Sequence, residues 1–544
     1  MIQNKRGLLP LLFLFLSAIA TASPEARFHL LKMDYKLNED GSQEFHFRKE
    51  LSIYTHPAMN NTYGETFIVY NPEFQTLTIN ESYTKQSDGT IIKNPENAFV
   101  KQLPSAAARA PYYNQITEMA VVHTGLDLGC TIYLDYTISS KPGYLPELDV
   151  YLPIEERAPI DQCEITIDIP TSRTLQFQSY GNFTSSKKEE QGNRTVYSWQ
   201  LKNLAEPLPE PYAPISTALI ASTWKDTNEA INYIGTQCAQ NMPAQLPAEL
   251  KAALDTCAST QARVASITDF VQSHVETCKL PLADCGYRIR PCQDVLTTAY
   301  GTVPEKASLL YGLLKSYGIN AAISLESELP TALIDKTPAL STVSNIKVRI
   351  KDGAKVLEVN PSTGKIHTVL TEETGVQIAQ YPLGSEIKAT ASSASYRKDY
   401  QLTLDANGKI SSEGELPPTA ADSSMKQFQT LTFLLPDDAA SKALTLFASH
   451  RTRPVLLPTP IDEELTYTLT LPAGWELRNE GEKAQVENSV GKVEIRIESE
   501  GNKAILHRSL KINATEIPVK QYVELSQLLT LWHDTKLSTL LLAH

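Results

Sequence analysis

The sequence lacks the features that mark several familiar classes of protein. It has no Lys- or Arg-rich run, and 62 acidic residues outnumber 49 basic ones, giving a formal charge of −13. An acidic chain of this kind is a poor ligand for the phosphate backbone of nucleic acids or for anionic lipids. The sequence also has no P-loop, Rossmann glycine pattern, H-E-x-x-H zinc motif or G-x-S-x-G elbow. We therefore expect no cofactor, no bound metal and no nucleic-acid partner.

Long apolar runs are scarce as well, and the one that stands out is at the N-terminus. A short basic segment precedes the apolar residues 8–19, and Ala20-Thr-Ala22 has the A-x-A form of a cleavage site. A membrane anchor is the alternative, but a membrane span needs about 20 apolar residues. We expect residues 1–22 to be a secretory signal peptide and the mature chain to begin at Ser23. The mature protein is then expected to be soluble in the periplasm or at the cell surface, with no stable membrane insertion.

Cysteine is used sparingly, and its spacing disfavours two common kinds of site. None of the seven cysteines forms a C-x-x-C pair, which argues against a zinc ribbon or a thioredoxin-like centre, and none lies at the cleavage site to carry a lipid. An exported protein folds where disulfides can form. Cys278, Cys285 and Cys292 are close in sequence, and a disulfide among them is possible. Because seven is odd, at least one thiol is free or pairs with another molecule, either as a nucleophile or as a buried apolar group.

The spacing of apolar residues divides the mature chain into three regions. Residues 24–225 and 385–544 alternate apolar and polar side chains, which is the period of half-buried strands. Residues 226–375 change to helical spacing and then to short apolar strands. We predict an α+β multidomain protein: a β-sandwich, an α+β domain and a second β-sandwich. An amphipathic helix over 518–532 is expected to close the chain, and the proline-rich run 206–214 is expected to belong to a linker.

The sharpest local signal in the middle region is a helix start. Thr302-Val-Pro-Glu305 has the form of a capping box, and Pro304 is tolerated in the first turn of a helix. Gly318 is expected to end this helix. Further elements are expected on either side of it: helices over 248–264, 266–275 and 295–300, and strands over 321–325, 346–350 and 356–359.

Three stretches of the sequence carry a family resemblance. Arg288-Ile-Arg-Pro291, the turn Gly301-Thr-Val-Pro-Glu-Lys-Ala307 and the Gly318-Ile319 step resemble the transglutaminase-like superfamily of papain-type cysteine enzymes. Residues 87–95, together with 121–142, look like the uncharacterised domain that precedes such modules in exported Gram-negative proteins. The chain from Arg451-Thr-Arg-Pro454 onward resembles the companion C-terminal domain. The resemblance implies a papain/transglutaminase-like fold for residues 226–375.

The resemblance also implies where catalytic residues should stand, and each position is occupied by another residue. Members of the family place a Cys at the helix start, a His on the next strand and an Asp one strand later. Here the Cys position is Val303, the His position is Ile346, or Asn345 if the register slips by one, and the Asp position is Asn360. No histidine occurs between His274 and His367. All three catalytic roles are therefore vacant.

The sequence also offers residues that could act as a displaced nucleophile. Cys292 is the candidate, although it lies ten residues before the helix start whose dipole would activate a thiol. His274 lies on a predicted helix, and Thr302 and Ser308 have no histidine placed beside them. We expect a catalytically inactive protein that binds an envelope protein, a peptide or a glycan in the cell envelope. The alternatives are an active transglutaminase or amidase that uses a displaced cysteine, and a purely structural envelope protein.

Overall fold

The structure is a computed structural model that describes residues 24–206, 210–240, 246–327, 329, 337–370, 372, 377–389, 395–420, 423–425, 427–444 and 451–544. The expected signal peptide and its cleavage site lie outside these residues. Within the described part of the chain, no helix has the length and apolar character needed to cross a membrane.

The N-terminal region is made of β-strands in which buried and half-buried residues alternate, as the period of two predicts. The strands are β1 (Ala26–Leu37), β2 (Gln43–Ile53), β3 (Glu65–Tyr70), β4 (Gln75–Lys85), β5 (Ile91–Lys93), β6 (Phe99–Gln102), β7 (Thr117–Val122), β8 (Thr131–Ser140), β9 (Asp149–Pro153), β10 (Ile160–Pro170), β11 (Gln176–Tyr180), β12 (Ser185–Gln191), β13 (Arg194–Leu204) and β14 (Ala218–Ser222).

These strands form two layers. One layer is an eight-stranded sheet in the order β12-β13-β10-β1-β2-β8-β4-β5, and the other consists of the three-stranded sheets β3-β7-β6 and β11-β14-β9. Phe47 of β2 packs with the apolar side chains of β3 and β7, while Ile165 of β10 packs with Leu219 of β14. Both residues pair in register with Met33, so they lie on the same face of the large sheet. The two small sheets therefore cover that face side by side.

The central region combines helices with two sheets. Its helices are α1 (Thr227–Gln240), α2 (Ala248–Asp255), α3 (Thr260–His274), α4 (Cys292–Thr298) and α5 (Val303–Ser316). Its strands are β15 (Glu276–Cys278), β16 (Tyr300–Thr302), β17 (Ala321–Ser327), β18 (Asn345–Asp352), β19 (Lys355–Val359), β20 (Ile366–Thr368) and β21 (Gln377–Tyr381). β15 and β16 pair in parallel, and the other five form a sheet in the order β20-β19-β18-β17-β21. Helices α1, α3 and α5 share one apolar core with that sheet.

The predicted limits of two helices are wrong. The helix expected over 248–264 is interrupted, because Ser259 adopts an extended conformation and its hydroxyl accepts a hydrogen bond from the Ala262 N–H, which starts α3 there. The helix expected over 295–300 begins earlier and ends sooner. Ala299 takes a left-handed conformation with φ of 61°, so Tyr300 enters β16 instead.

The C-terminal region is again built from strands, with one helix. Its elements are β22 (Tyr396–Leu404), β23 (Ile410–Ser412), β24 (Ser423–Met425), β25 (Phe428–Thr432), β26 (Val455–Leu456), β27 (Ile461–Thr470), β28 (Glu476–Leu477), β29 (Lys483–Glu487), β30 (Gly491–Glu500), β31 (Lys503–Ile512), β32 (Glu516–Ile517), α6 (Tyr522–Trp532) and β33 (Thr539–Ala543). A six-stranded sheet, β23-β22-β27-β31-β30-β29, and a four-stranded sheet, β24-β25-β33-β28, share one core with α6. The predicted order of fold classes is therefore confirmed: a β-sheet domain, an α+β region and a second β-sheet domain.

The end of the chain differs from the prediction in one element. The apolar stripe of the terminal helix is buried as expected, but the helix proper begins at Tyr522, and a strand follows it. That strand, β33, pairs with β25 and β28 in the middle of the four-stranded sheet. Its run of leucines is too short for periodicity to distinguish a strand from a buried helical turn. Tertiary pairing decides the assignment.

The described residues of the proline-rich run do not connect two domains. Residues 210–214 lie between β13 and β14 of the N-terminal region, yet they pack against the C-terminal domain. The Glu210 carboxylate accepts hydrogen bonds from the Thr452 N–H (2.6 Å), the Thr452 hydroxyl (3.0 Å) and the Arg453 N–H (2.9 Å). Arg453 reaches back to the Glu155 carboxylate at 3.3 Å and the Pro214 carbonyl at 3.1 Å. This contact joins the first and last domains directly.

The contact is expected to weaken in acid. Burial favours the neutral form of Glu210, but the hydrogen bonds from Thr452 and Arg453 outweigh it and hold the pKa of the carboxyl below its usual range. Its stabilising contribution is complete above the ordinary Glu pKa of about 4.3 and is lost as the pH falls through the lower folded value. At pH 7, Glu210→Gln should mimic the acid form and lower hydrogen-exchange protection at Thr452 and Arg453 by roughly tenfold. The same change at the exposed Glu206 should have no effect on protection. Equal losses of protection in both variants would contradict the role given to Glu210.

Candidate functional site

The candidate site is built around the start of helix α5, which forms as the sequence predicts. The Thr302 hydroxyl accepts a hydrogen bond from the Glu305 N–H at 3.4 Å, and the Glu305 carboxylate accepts one from the Thr302 N–H at 2.8 Å. This capping box leaves Val303 as the first helical residue, partly exposed. The helix ends after Ser316, and Gly318 follows with φ of +78°. The region 303–316 is buried on nearly every side.

The topology of the central sheet places the other two predicted positions at the same end as Val303. Strand β17 is antiparallel to β18 and pairs Leu325 with Ile346 and Glu326 with Asn345. Strand β19 ends beside Val348, so Asn360 comes immediately beyond that edge of the sheet. Because α5 leads into β17 through a four-residue connection, its first turn lies at this end of the layer.

Hydrogen bonds connect α5 to the loop that follows Asn360. The Lys306 ammonium donates to the side chains of Gln272 (3.1 Å) and Thr277 (2.9 Å) and to the Val275 carbonyl (2.8 Å). Gln272 donates in turn to the Pro361 carbonyl at 2.8 Å. Lys306 is buried, and burial lowers the pKa of its ammonium to about 8. This network holds the loop after Asn360 in place and gives the Lys306 ammonium three hydrogen-bond acceptors.

The residues at the three positions where the resemblance implies Cys, His and Asp have neither a thiol, an imidazole nor a carboxylate. Val303 and Ile346 are apolar, and Ile346 is packed in the same core as α5. The Asn360 side-chain oxygen accepts hydrogen bonds from the Ser362 N–H (2.9 Å) and the Thr363 N–H (3.1 Å), which makes it the first residue of a turn. Asn345 begins β18 with its side-chain amide near the Ser344 hydroxyl.

The two nearest histidines in sequence lie elsewhere. His274 ends α3, where its Nδ1 is 2.9 Å from the Phe270 carbonyl and its Nε2 is 3.5 Å from a Glu249 carboxylate oxygen. His367 lies on the edge strand β20, with its Nε2 3.3 Å from the Glu358 carboxylate. Each histidine therefore lies beside a carboxylate of a neighbouring element, Glu249 of α2 or Glu358 of β19.

Cys292, the candidate for a displaced nucleophile, does not have the setting of a reactive thiol. Cys292 is fully buried with its Sγ 3.6 Å from the Ser308 hydroxyl, and burial raises the pKa of the thiol to about 11. A reactive cysteine needs an accessible, electropositive setting that favours the thiolate. Burial likewise raises the pKa of the neighbouring Cys238 to about 12.

The disulfide that was considered among Cys278, Cys285 and Cys292 is not formed. All seven cysteines are free thiols in the structure. Cys278 and Cys285 belong to a small apolar cluster with Tyr113 and Tyr300, whereas Cys292 lies in the main core of the central region. Proximity in sequence did not place the third thiol beside the other two.

A segment of the N-terminal domain, residues 104–116, covers the start of α5; we call it the covering segment. It comprises two short turns, Ser105–Ala107 and Pro111–Tyr113, between β6 and β7. The Cys278 thiol donates to the Ala106 carbonyl at 3.2 Å, and the Tyr112 N–H donates to the Tyr300 hydroxyl at 2.7 Å. The covering segment therefore lies on β16, which immediately precedes α5, and on its partner strand β15.

A buried ion pair fastens the covering segment to the helix. The Arg290 guanidinium donates to both carboxylate oxygens of Glu305, at 2.8 and 3.0 Å, and the Tyr113 hydroxyl donates to the same carboxylate at 2.5 Å. Burial alone would lower the pKa of Arg290, but the hydrogen bonds and charge of Glu305 raise it. The guanidinium lies 4.8–5.3 Å from the ring centres of Tyr112, Tyr113 and Tyr300. The capping pattern in the sequence predicts the cap formed by Glu305 but gives no sign of this second role.

Two cavities flank the covering segment. One, of about 390 Å³, lies between residues 105–110 and residues 276–279. The other, of about 370 Å³, lies between the N-terminal domain and the central region; we call it the interdomain groove. It is lined by Asn71, Glu73, Phe74, Tyr112, Tyr113, Gln115, Ile116, Tyr144, Gln237, Cys285, Arg288, Ile289, Arg290, Pro291 and Asp294.

Comparison with known proteins connects this architecture to a family. A domain of unknown function, DUF3857, matches residues 39–207, and a second one, DUF3858, matches residues 431–542. The crystal structure of a Parabacteroides distasonis protein described as a "putative protease" is 30% identical in sequence, with a TM-score of 0.80 over 96% of this chain and 99% of the other. The chain belongs to the family of that protein. In this chain a DUF3857 domain precedes the central region and a DUF3858 domain follows it.

Other comparisons add no functional information. An M1 zinc metallopeptidase mutant from Deinococcus radiodurans has 13% identity and a TM-score of 0.19, covering 45% of this chain and 53% of its own. No curated protein sequence matches the chain.

Proposed function

We propose that this chain is an exported, catalytically inactive member of the transglutaminase-like superfamily that binds a peptide or glycan in the cell envelope. The observation that carries the proposal is the start of α5. A partly exposed Val303 stands where a cysteine would attack, and the covering segment is fastened over the neighbouring strands through Tyr113 and Glu305. The relative described as a protease supports descent from a hydrolytic ancestor. The fold is retained while the reactive groups are gone.

An active cysteine enzyme is the second candidate, and the description of the relative is the observation that favours it. The geometry of this chain opposes it. Cys292 has no exposed surface and a raised thiol pKa, and Ile346 offers no base. A general base alone typically contributes about 10²–10⁴-fold to the rate. A purely structural role is the third candidate, and ligand binding in the interdomain groove would separate it from the first.

Activity assays on the mature protein test the proposal. We expect no turnover above buffer in amine-incorporation, ammonia-release and peptide-cleavage assays, with or without iodoacetamide. Turnover that iodoacetamide abolishes would refute the proposal and would make Cys292 the first residue to replace. Turnover that iodoacetamide leaves intact would refute it as well, by revealing chemistry that uses no thiol.

The variant Val303→Cys should regain a reactive thiol without regaining catalysis. A cysteine at this position is partly exposed and begins a 14-residue helix, whose N-terminal dipole favours the thiolate. Iodoacetamide should therefore label residue 303 faster than the buried native cysteines, while peptide and amide substrates remain intact because Ile346 supplies no base. Peptide mapping by mass spectrometry gives the labelling rate.

Val303→Ala is the matched control for stability at the same position. It should cost about 0.5–2 kcal/mol of unfolding free energy.

Hydrolysis of a substrate by the Val303→Cys variant would contradict the proposal. It would show that a general base is already in place, although the residue at the expected histidine position is Ile346.

A further inference from the structure

The interdomain groove is the cavity whose chemistry goes beyond what the fold requires. Its floor and walls come from both domains: Tyr112 and Gln115 from the covering segment, Phe74 from the β3–β4 loop, and Arg288 and Asp294 from the central region. Its volume of about 370 Å³ is within the range of small-ligand sites, which occur preferentially where two domains meet. We propose that the interdomain groove binds an uncharged saccharide. This inference rests on the proposed function and names the class of ligand for it.

An aromatic ring is held open to solvent at the edge of the groove. Tyr112 is 55% exposed. The Arg290 guanidinium lies 4.8 Å from its ring centre, and Tyr113 contacts it edge-on at 5.1 Å. Arg290 is itself fixed by Glu305, so Tyr112 is supported from behind and presents its ring to a ligand without losing further rotamer freedom. A rigid ring with an apolar face and a polar hydroxyl matches a sugar ring, which has C–H bonds on its faces and hydroxyls at its rim.

A second aromatic group stiffens another part of the lining. Phe74 stacks on Tyr144 with ring centres 4.9 Å apart and planes within 6° of parallel. The Arg288 guanidinium lies 4.4 Å from the Phe74 ring and donates one hydrogen bond, at 3.3 Å, to the Gly143 carbonyl. Arg288 is exposed, so its remaining donors are available to a ligand.

Several polar side chains of the groove have no partner within the described part of the protein. These are the carboxylates of Glu73 and Asp294, the amide of Gln115 and the hydroxyl of Tyr112. Together with Arg288 they offer both donors and acceptors, as sugar hydroxyls require. Arg290 is neutralised by Glu305, so two carboxylates face one guanidinium. This balance disfavours an anionic ligand such as a uronic acid or a free peptide carboxylate.

The walls of the groove also argue against an extended peptide. An extended peptide is commonly held by main-chain hydrogen bonds to the edge of a sheet. None of the residues that line the groove belongs to a β-strand: they lie in loops, in the covering segment, in α1 and in the first turn of α4. The groove therefore offers side chains and aromatic faces but no strand edge.

Calorimetric titration of the mature protein tests the proposal. The probes are neutral disaccharides (maltose, cellobiose, lactose, mannobiose and N,N′-diacetylchitobiose), digalacturonic acid and a blocked alanine tripeptide. We expect at least one neutral disaccharide to bind saturably and the other two probes not to bind. Affinity for that disaccharide should fall by at least about tenfold in Tyr112→Ala, which removes the platform, and in the isosteric Asp294→Asn. Tyr54→Ala, at another exposed tyrosine of the same domain, is the matched control and should bind normally.

Each other result has a definite meaning. Failure of all the neutral disaccharides to bind, or binding that survives both groove variants, would overturn the saccharide assignment. Binding of the tripeptide that is lost in Tyr112→Ala would overturn it too, while leaving the proposed binding function intact. Hydrolysis of any probe would instead overturn the proposed function.

Discussion

Replacing Glu305 with alanine should lower the hydrogen-exchange protection of helix α5 by about 100- to 3,000-fold. The Glu305 side chain has no exposed surface and binds the Arg290 guanidinium, the Tyr113 hydroxyl and the Thr302 N–H. Removing one member of a buried ion pair costs about 3–5 kcal/mol, because the other charge stays buried without its partner. Each 1.4 kcal/mol corresponds to about a factor of ten in the opening equilibrium. Hydrogen exchange in peptides from 303–316 and 104–116, read out by mass spectrometry, measures the loss of protection in both contacting segments.

Two controls separate the ion pair from its surroundings. Tyr113→Phe removes one hydrogen bond to a charged group and should cost about 1.5–3 kcal/mol, an intermediate effect. Glu276→Ala removes a partner of Arg109, a pair whose side chains are 55% and 84% exposed, and should change protection by less than a factor of a few. If Glu305→Ala reduced protection less than Tyr113→Phe does, the ion pair would not be what holds the covering segment in place.

Replacing Trp532 with alanine should have a comparable effect in the C-terminal domain. The indole is fully buried, its N–H donates to the Ser441 hydroxyl at 2.7 Å, and the Arg508 guanidinium lies 4.6 Å from its ring. Burial lowers the pKa of the Arg508 guanidinium to about 10, so its charged form depends on the groups packed around it. Truncating a buried Trp typically costs about 3–5 kcal/mol, and here it also leaves the cation beside a cavity. The loss of unfolding free energy is measured as the shift of the urea midpoint. Hydrogen exchange in peptides from β30 and β31 follows the unfolding of this domain.

The same helix provides the matched control. Val523 is 63% exposed, and Val523→Ala should shift the midpoint by an amount within experimental error. Trp532→Phe keeps an aromatic ring but loses part of the ring volume and the hydrogen bond to Ser441, so an intermediate shift is expected. Equal shifts for Trp532→Ala and Val523→Ala would show that α6 does not stabilise this domain.

Local signals in the sequence predicted local structure well. The capping box at Thr302 and Glu305, the stop at Gly318 and the strands around 321–359 follow from short-range preferences, and the structure has all of them. The helix break at Ser259 was missed, because a serine that can cap a helix can also continue one. The strand at 539–543 was missed because its partner strand, β25, is distant in sequence.

The sequence by itself determined the order of domain types and the residues at the positions where the family resemblance implies a cysteine and a histidine, Val303 and Ile346. Valine cannot attack a carbonyl, and the stretch between His274 and His367 contains no histidine, whatever the fold. Only the tertiary structure decided what covers that helix start. Tyr113 and Glu305 are 192 residues apart, and Glu210 is 242 residues from Thr452. Such contacts form because whole domains pack against one another, and short-range residue preferences do not encode which surfaces meet. The interdomain groove exists for the same reason, since both of its walls are needed to enclose it.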